Sequence, residues 1–189
     1  AVIMQKETET GLTFHLIDET IDTGDILAQF PFPIADSDTA LSIYHRGCAV
    51  AGEHVVEVMD RIEKKGVHAT PQDASKATYD RKLTRDDYRI DWTGTADDYE
   101  RLMRAGRPFF SPWFIWRGNT IYLMRGHFKK EPVDAEPGTV LAVEPKPKIA
   151  VADGSCTIVS AITRTRLPWM WPAPWQILRT GDRLNPNGR

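Results

Sequence analysis

Two apolar runs separated by a tight acidic turn constrain this chain more than any other stretch. They lie in Gly11 to Gln29, GLTFHLIDETIDTGDILAQ. Leu12, Phe14 and Leu16 alternate with their neighbours at the period of a strand with one buried face. The chain then breaks at Asp22-Thr23-Gly24-Asp25, and a second apolar run carries on from Ile26 to Ile34. A strand that ends in two carboxylates and a glycine can present a proton acceptor at a sheet edge. Asp22 or Asp25 is therefore a candidate general base, or an electrostatic anchor in a cleft. The same four residues also fit a plain turn in which each Asp caps its own backbone. Spacing leaves both readings open.

With 189 residues, 41% hydrophobic and 26% charged, the chain has the length for one domain or two small ones. Cys48 and Cys156 sit far apart in apolar contexts and read as reduced core thiols of a cytoplasmic protein. No metal is expected, because no residues have the spacing of a metal site. No apolar run approaches membrane-spanning length, and no basic-then-apolar signal opens the chain. Ala1-Val2-Ile3-Met4 starts as though in mid-helix, which points to a fragment.

Charge divides unevenly. Residues 1–79 hold 6 Lys/Arg against 13 Asp/Glu, and residues 80–189 hold 18 against 13. The split suggests two units with different partners, the second tolerating an anion.

Asp36-Ser37-Asp38-Thr39 caps a predicted helix over 39–65, with Leu41, Tyr44, Cys48, Val55, Met59 and Ile62 on its apolar side and Gly66 as its stop. This helix should cover one face of a sheet. His45 and His54 lie on it and receive no role. Residues 67–83 lack periodicity and read as an extended connector. Thr95 caps a short helix that ends at Gly106 and Pro108. Arg104 and Arg107 at its end could face an anionic acceptor or simply complement the helix dipole. Five short strands follow: Trp113–Trp116, Thr120–Met124, Thr139–Val143, Lys148–Ala152 and Cys156–Ile162. Arg117-Gly118-Asn119 is expected as a three-residue hairpin loop, and the spacing suggests a small closed barrel. Trp113, Trp116, Arg117, Arg125, Lys129 and Lys130 could line a nucleic-acid face of it. Leu167–Trp175, LPWMWPAPW, is too apolar for a free tail and is expected to pack across the barrel or another subunit.

The whole Gly11–Gln29 stretch resembles the signature of the folate-dependent formyltransferases, Gly-Val-Thr-x-His/Met-x-x-Asp-x-x-x-Asp-Thr-Gly-Asp-Ile. Gly11, Thr13, His15, Asp18, Asp22, Thr23, Gly24, Asp25 and Ile26 fall in step with it. Further along, Pro71-Gln72-Asp73, Ile90-Asp91-Trp92, Pro137-Gly138-Thr139 and Gly181-Asp182-Arg183-Leu184 are similar to the same family. The resemblance implies an α/β plus β chain: the second half of a Rossmann-like formyltransferase domain (1–70), an interdomain linker (71–93) and an OB-like barrel domain (94–189).

It also implies formyl transfer from 10-formyltetrahydrofolate to a primary amine, methionyl-tRNA being the first acceptor to consider. Asp22 takes the catalytic position, with His15, Thr23, Gly24 and Asp25 as its neighbourhood. Sugar amines and amino-acid-derived amines are alternatives. So are a formyl hydrolase and a non-catalytic OB-like binding module. The family's oxyanion donors lie in Asn-x-His, followed by Ser-Leu-Leu-Pro, and neither motif occurs in this sequence. The chain is therefore expected to lack the N-terminal half of the catalytic domain and to turn over slowly or not at all alone.

Overall fold

The computed structural model describes residues 1–163 and 178–184, which form two units, Ala1–Lys82 and a second from Leu83 onward. The expectation for Leu167–Trp175 lies outside the described residues.

The first unit is a hairpin and a helix. Strand β1 (Glu9–His15) pairs antiparallel with β2 (Ile26–Pro33), from Glu9↔Pro33 to His15↔Ile26. Glu9 and Thr10 are already in the ladder, ahead of the Gly11 at which the alternating pattern starts. Leu12 and Phe14 share the half-buried face of β1, as their alternation predicts. Phe14 meets Phe30 edge-on at 6.0 Å, and Phe30 stacks on the His54 ring at 3.8 Å. No parallel ladder is present among the described strands, so the Rossmann-like expectation reduces here to an antiparallel hairpin with one helix.

That helix, α1, runs Ala40–Lys65. Thr39 and Ser42 form a reciprocal capping box at its start, and the Gly66 N–H closes its end on the Ile62 carbonyl at 2.9 Å. Before it, the buried Asp38 receives a two-pronged Arg46 guanidinium at 2.9 Å on each oxygen, plus the Ala35 N–H and the Ser42 hydroxyl. Arg46 also donates to the Pro33 carbonyl and tethers the helix to the end of β2. The predicted apolar side of α1 is only partly covered. Val58 is buried, whereas Tyr44, Val55 and Met59 are exposed. Cys48, expected in a core, is exposed too, because its helix face meets nothing else in this unit.

The second unit packs helix α2 (Ala96–Gly106) on a five-stranded antiparallel sheet. Its strands are β3 (Trp113–Trp116), β4 (Asn119–Lys130), β5 (Val140–Ala142), β6 (Lys148–Val151) and β7 (Gly154–Thr163), in the order β3-β4-β7-β6-β5. All five expected strands exist. No ladder joins edge strands β3 and β5 among the described residues, so the arrangement is an antiparallel sheet rather than a demonstrated barrel. Strand β4 continues six residues past its expected end, because β7 offers it partners as far as Lys130↔Gly154. The first hairpin loop is shorter than expected. Asn119 pairs with Trp116, leaving only Arg117 and Gly118, both left-handed at φ 47° and 73°.

Residues 83–93, expected in the linker, instead build this core. Tyr88, Ile90 and Trp92 are buried beside Phe114, Ile121, Leu123, Ile149 and Cys156. Tyr88, Ile90 and Trp92 alternate with Arg89 and Asp91, so one side of the stretch faces the sheet, and the Ile90 N–H donates to the Trp113 carbonyl at 2.7 Å. Burial pushes the Cys156 thiol far up.

Candidate active site

The loop between β1 and β2 folds around Asp18. Its carboxylate accepts the Thr20 N–H at 2.9 Å, the Thr20 hydroxyl at 3.1 Å and the Thr23 hydroxyl at 2.8 Å. These bonds, the Thr20 backbone donor foremost, hold the Asp18 carboxyl below its ordinary value. Thr23 therefore directs its hydroxyl inward to Asp18. The ladder resumes where the Leu16 N–H donates to the Asp25 carbonyl at 2.9 Å. Gly24 is buried directly against Leu16, where any side chain would collide with the Leu16 carbonyl.

This wrapping turns Asp22 outward. Its backbone is left-handed (φ 60°), a conformation Asp tolerates better than most residues, and its side chain is 85% exposed. His15 ends β1 with its ring 28% exposed and Nε2 3.7 Å from an Asp22 carboxylate oxygen. The other ring nitrogen, Nδ1, lies 2.8 Å from the Leu16 carbonyl oxygen. A carbonyl only accepts, so Nδ1 carries hydrogen and Nε2 is the ring nitrogen that faces the Asp22 carboxylate. The loop brings Asp22, Thr23, Gly24 and Asp25 together with His15 at the end of β1. Asp22 is presented, His15 backs it, and Thr23, Gly24 and the Asp25 carbonyl shape the turn.

Two residues had no assigned task in the sequence. Asp18 organises the loop, and the Asp-x-Thr-x-x-Thr spacing was its available signal. Gln72 donates its side-chain amide to the carbonyls of Asp22, at 3.0 Å, and Gly24, at 2.6 Å. Nothing local to Gln72 announces a contact 50 residues away.

Arg104 and Arg107 belong to the second unit. Arg104 is half-buried in the last turn of α2, and the exposed Arg107 donates to the Met124 carbonyl at 3.2 Å. Arg107, Pro108, Phe110, Pro112, Leu123 and Met124 line a cavity of about 210 Å³. The expected nucleic-acid face is corrected in its aromatics. Trp113 and Trp116 are 6% and 7% exposed, with the Arg85 guanidinium 4.4 Å from the Trp113 ring centre. They fill the core and leave no free stacking surface. Lys129 pairs with Glu131 at 3.0 Å and Lys130 with Asp97 at 2.5 Å. Among the described residues no group of three or more His, Cys, Asp or Glu could hold a metal ion, and no helix is long and apolar enough to cross a membrane.

Two family models match the chain: formyl transferase, over residues 1–59, and formyl transferase, C-terminal domain, over residues 82–166. A methionyl-tRNA formyltransferase of Marinobacter nauticus is 33% identical over 162 residues, covering 86% of this chain and 51% of the relative. Among solved structures, HypX from Aquifex aeolicus in complex with tetrahydrofolic acid is similar with a TM-score of 0.66 and 25% identity, over 86% of this chain and 29% of that one. An N-formyltransferase from Helicobacter canadensis, in complex with folinic acid and dTDP-3-aminofucose, shares the fold at 23% identity. Its TM-score is 0.59, over 84% of this chain and 58% of that one. The chain spans about half the length of the curated relatives it matches. The loop that presents Asp22 lies inside the first matched segment and the α2-and-sheet unit inside the second, and on this footing the chain belongs to the formyltransferase family.

Proposed function

We propose that this chain works in transferring a formyl group from 10-formyltetrahydrofolate to a primary amine, and that the amine is that of methionyl-tRNA. The carrying observation is the Asp22 carboxylate, exposed on a left-handed turn with the His15 ring 3.7 Å away. In the reaction the amine nitrogen bonds to the formyl carbon, and the tetrahedral intermediate collapses by breaking that carbon's bond to the folate nitrogen. The attacking nitrogen gives up one proton and the departing folate nitrogen gains one. Asp22 takes the first proton directly or through water, with His15 behind it to share the charge. The oxyanion needs donors that this sequence does not carry in the family's Asn-x-His form. We assign them to the remaining half of the catalytic domain, which is the proposed partner of this chain.

The curated relatives named as methionyl-tRNA formyltransferases support the tRNA acceptor. A second reading, a small sugar amine, is favoured by the burial of Trp113 and Trp116 and the pairing of Lys129 and Lys130, which remove most of the expected RNA face. An OB-like closure of the second unit stays part of the proposal. It is supported by the irregular register of β4 between Leu123 and Gly126, since bulges of this kind let a long strand bend. Two free cysteines suit a reducing, cytoplasmic setting.

The test is Asp22→Asn in the assembled transferase. A fall in kcat of about a hundredfold or more is expected, and undiminished turnover would overturn the role. The isolated 189-residue chain should show slow turnover or none. A steep loss of acceptor affinity with salt identifies tRNA, and a flat response identifies the small amine.

A further inference from the structure

Gln72 reaches the active loop from outside it. The Ile26 N–H donates to the Thr70 carbonyl and the Thr70 N–H returns the bond to Ile26, both at 2.8 Å, so residue 70 docks on the first residue of β2. Pro71 follows with a restricted φ, and Gln72 then lies under the turn. Its two amide hydrogens match two acceptors, the Asp22 carbonyl at 3.0 Å and the Gly24 carbonyl at 2.6 Å. Those carbonyls flank Thr23 and converge on one side of the turn. No backbone N–H among the described residues donates to either, so the side-chain amide supplies what a ladder would supply elsewhere.

Within the same loop Asp18 holds Thr20 and Thr23. The left-handed Asp22 turn is thus held by two clamps, one anionic and one neutral. The neutrality matters. A Lys or Arg at position 72 would pair with the Asp22 carboxylate, whereas an amide fixes the backbone and leaves that carboxylate able to accept a proton.

We infer that Gln72 is a positioning residue for Asp22, its amide clamping the Asp22 and Gly24 carbonyls so that the Asp22 carboxylate stays beside His15. The inference rests on the formyl-transfer reading for its consequence and on hydrogen-bond geometry for its substance. Orientation of a catalytic group acts on the chemical step more than on ground-state binding.

The experiment compares Gln72→Met, of similar length without a donor, and Gln72→Glu, of the same shape but acceptor-only when ionised. In the 15N-labelled chain, the heteronuclear NOEs of Asp22, Thr23 and Gly24 should drop to loop values in both variants, with Phe14 and Ala28 in the ladder unchanged. In the assembled transferase, kcat should fall about tenfold, with KM for each substrate within about twofold. An ordered turn in Gln72→Met would overturn the proposal, and so, where Asp22→Asn is itself impaired, would an unchanged kcat or a change in KM alone. Full activity in Asp22→Asn would instead sink the catalytic reading. The two failures are distinguishable, because the NMR measurement reports the clamp whether or not Asp22 is catalytic.

Discussion

Gly24 presses against the backbone of Leu16 so closely that its missing side chain is the condition for the loop to close. A Cβ built there falls far inside contact with the Leu16 carbonyl oxygen and only 2.6 Å from its carbonyl carbon. The neighbours are backbone atoms of Leu16, which its N–H bond to the Asp25 carbonyl holds in place, and they cannot rotate away. Gly24→Ala should therefore open the turn, destabilise the first unit by about 1–3 kcal/mol and abolish any activity that needs Asp22. Urea unfolding of the variant checks the stability, and protection of the Leu16 amide against hydrogen exchange checks the turn.

Asp38 makes the first unit sensitive to acid. The Arg46 guanidinium above all, then the Ala35 N–H, hold its carboxyl at about 2 against 3.8 when free. A depressed carboxyl stabilises the fold above its unfolded value, and that contribution is lost as pH falls from about 4 toward 2. Asp38→Asn should cost on the order of 2 kcal/mol at neutral pH and flatten the loss of stability over that window. Urea midpoints at pH 6, 4 and 3 read both effects. In the second unit Glu131, held at about 2 chiefly by Lys148 and then by Ser155, should titrate through the same window.

Tyr99 ties α2 to the chain before it. Its hydroxyl donates to Asp91 at 2.5 Å and accepts the Gly94 N–H at 3.0 Å. Burial, with the Asp91 bond second, pushes its phenol well up. Tyr99→Phe keeps the ring packing and removes both bonds, so the expected cost is about 1–2 kcal/mol. A fall of several degrees in the melting temperature of the second unit would show it.

The two thiols should react differently. Cys48 is exposed on α1 and Cys156 is fully buried beneath the sheet. An aromatic disulfide reagent at neutral pH should titrate one thiol per native chain and two after denaturation. Prompt reaction of both in the native state would contradict the packing of β7.

Much of this was legible because local chemistry repeats itself in sequence. Thr39 and Thr95 are good helix caps wherever they precede an apolar period, and both helices start one residue after them. Trp113–Trp116 is a short apolar run that ends at the Arg117-Gly118 turn, and the strand has the expected bounds. Asp22 could be picked out because a Thr-Gly-Asp turn follows it. The errors share another cause. Tyr88, Ile90 and Trp92 alternate over only five residues, yet they find a core. The polar end of β4 is a strand only because β7 pairs with it. Trp113 and Trp116 look the same in sequence whether they face solvent or each other's core.

The sequence by itself determined the hairpin, its acidic turn, the two capped helices and the strand count, since each depends on interactions between residues a few positions apart. Only the tertiary structure decided that Gln72 holds the Asp22 turn, that Asp18 closes it and that Trp113 and Trp116 are buried. Those outcomes rest on hydrogen bonds and contacts between distant segments, and no short-range pattern of residue types encodes the distance between them once the chain has folded.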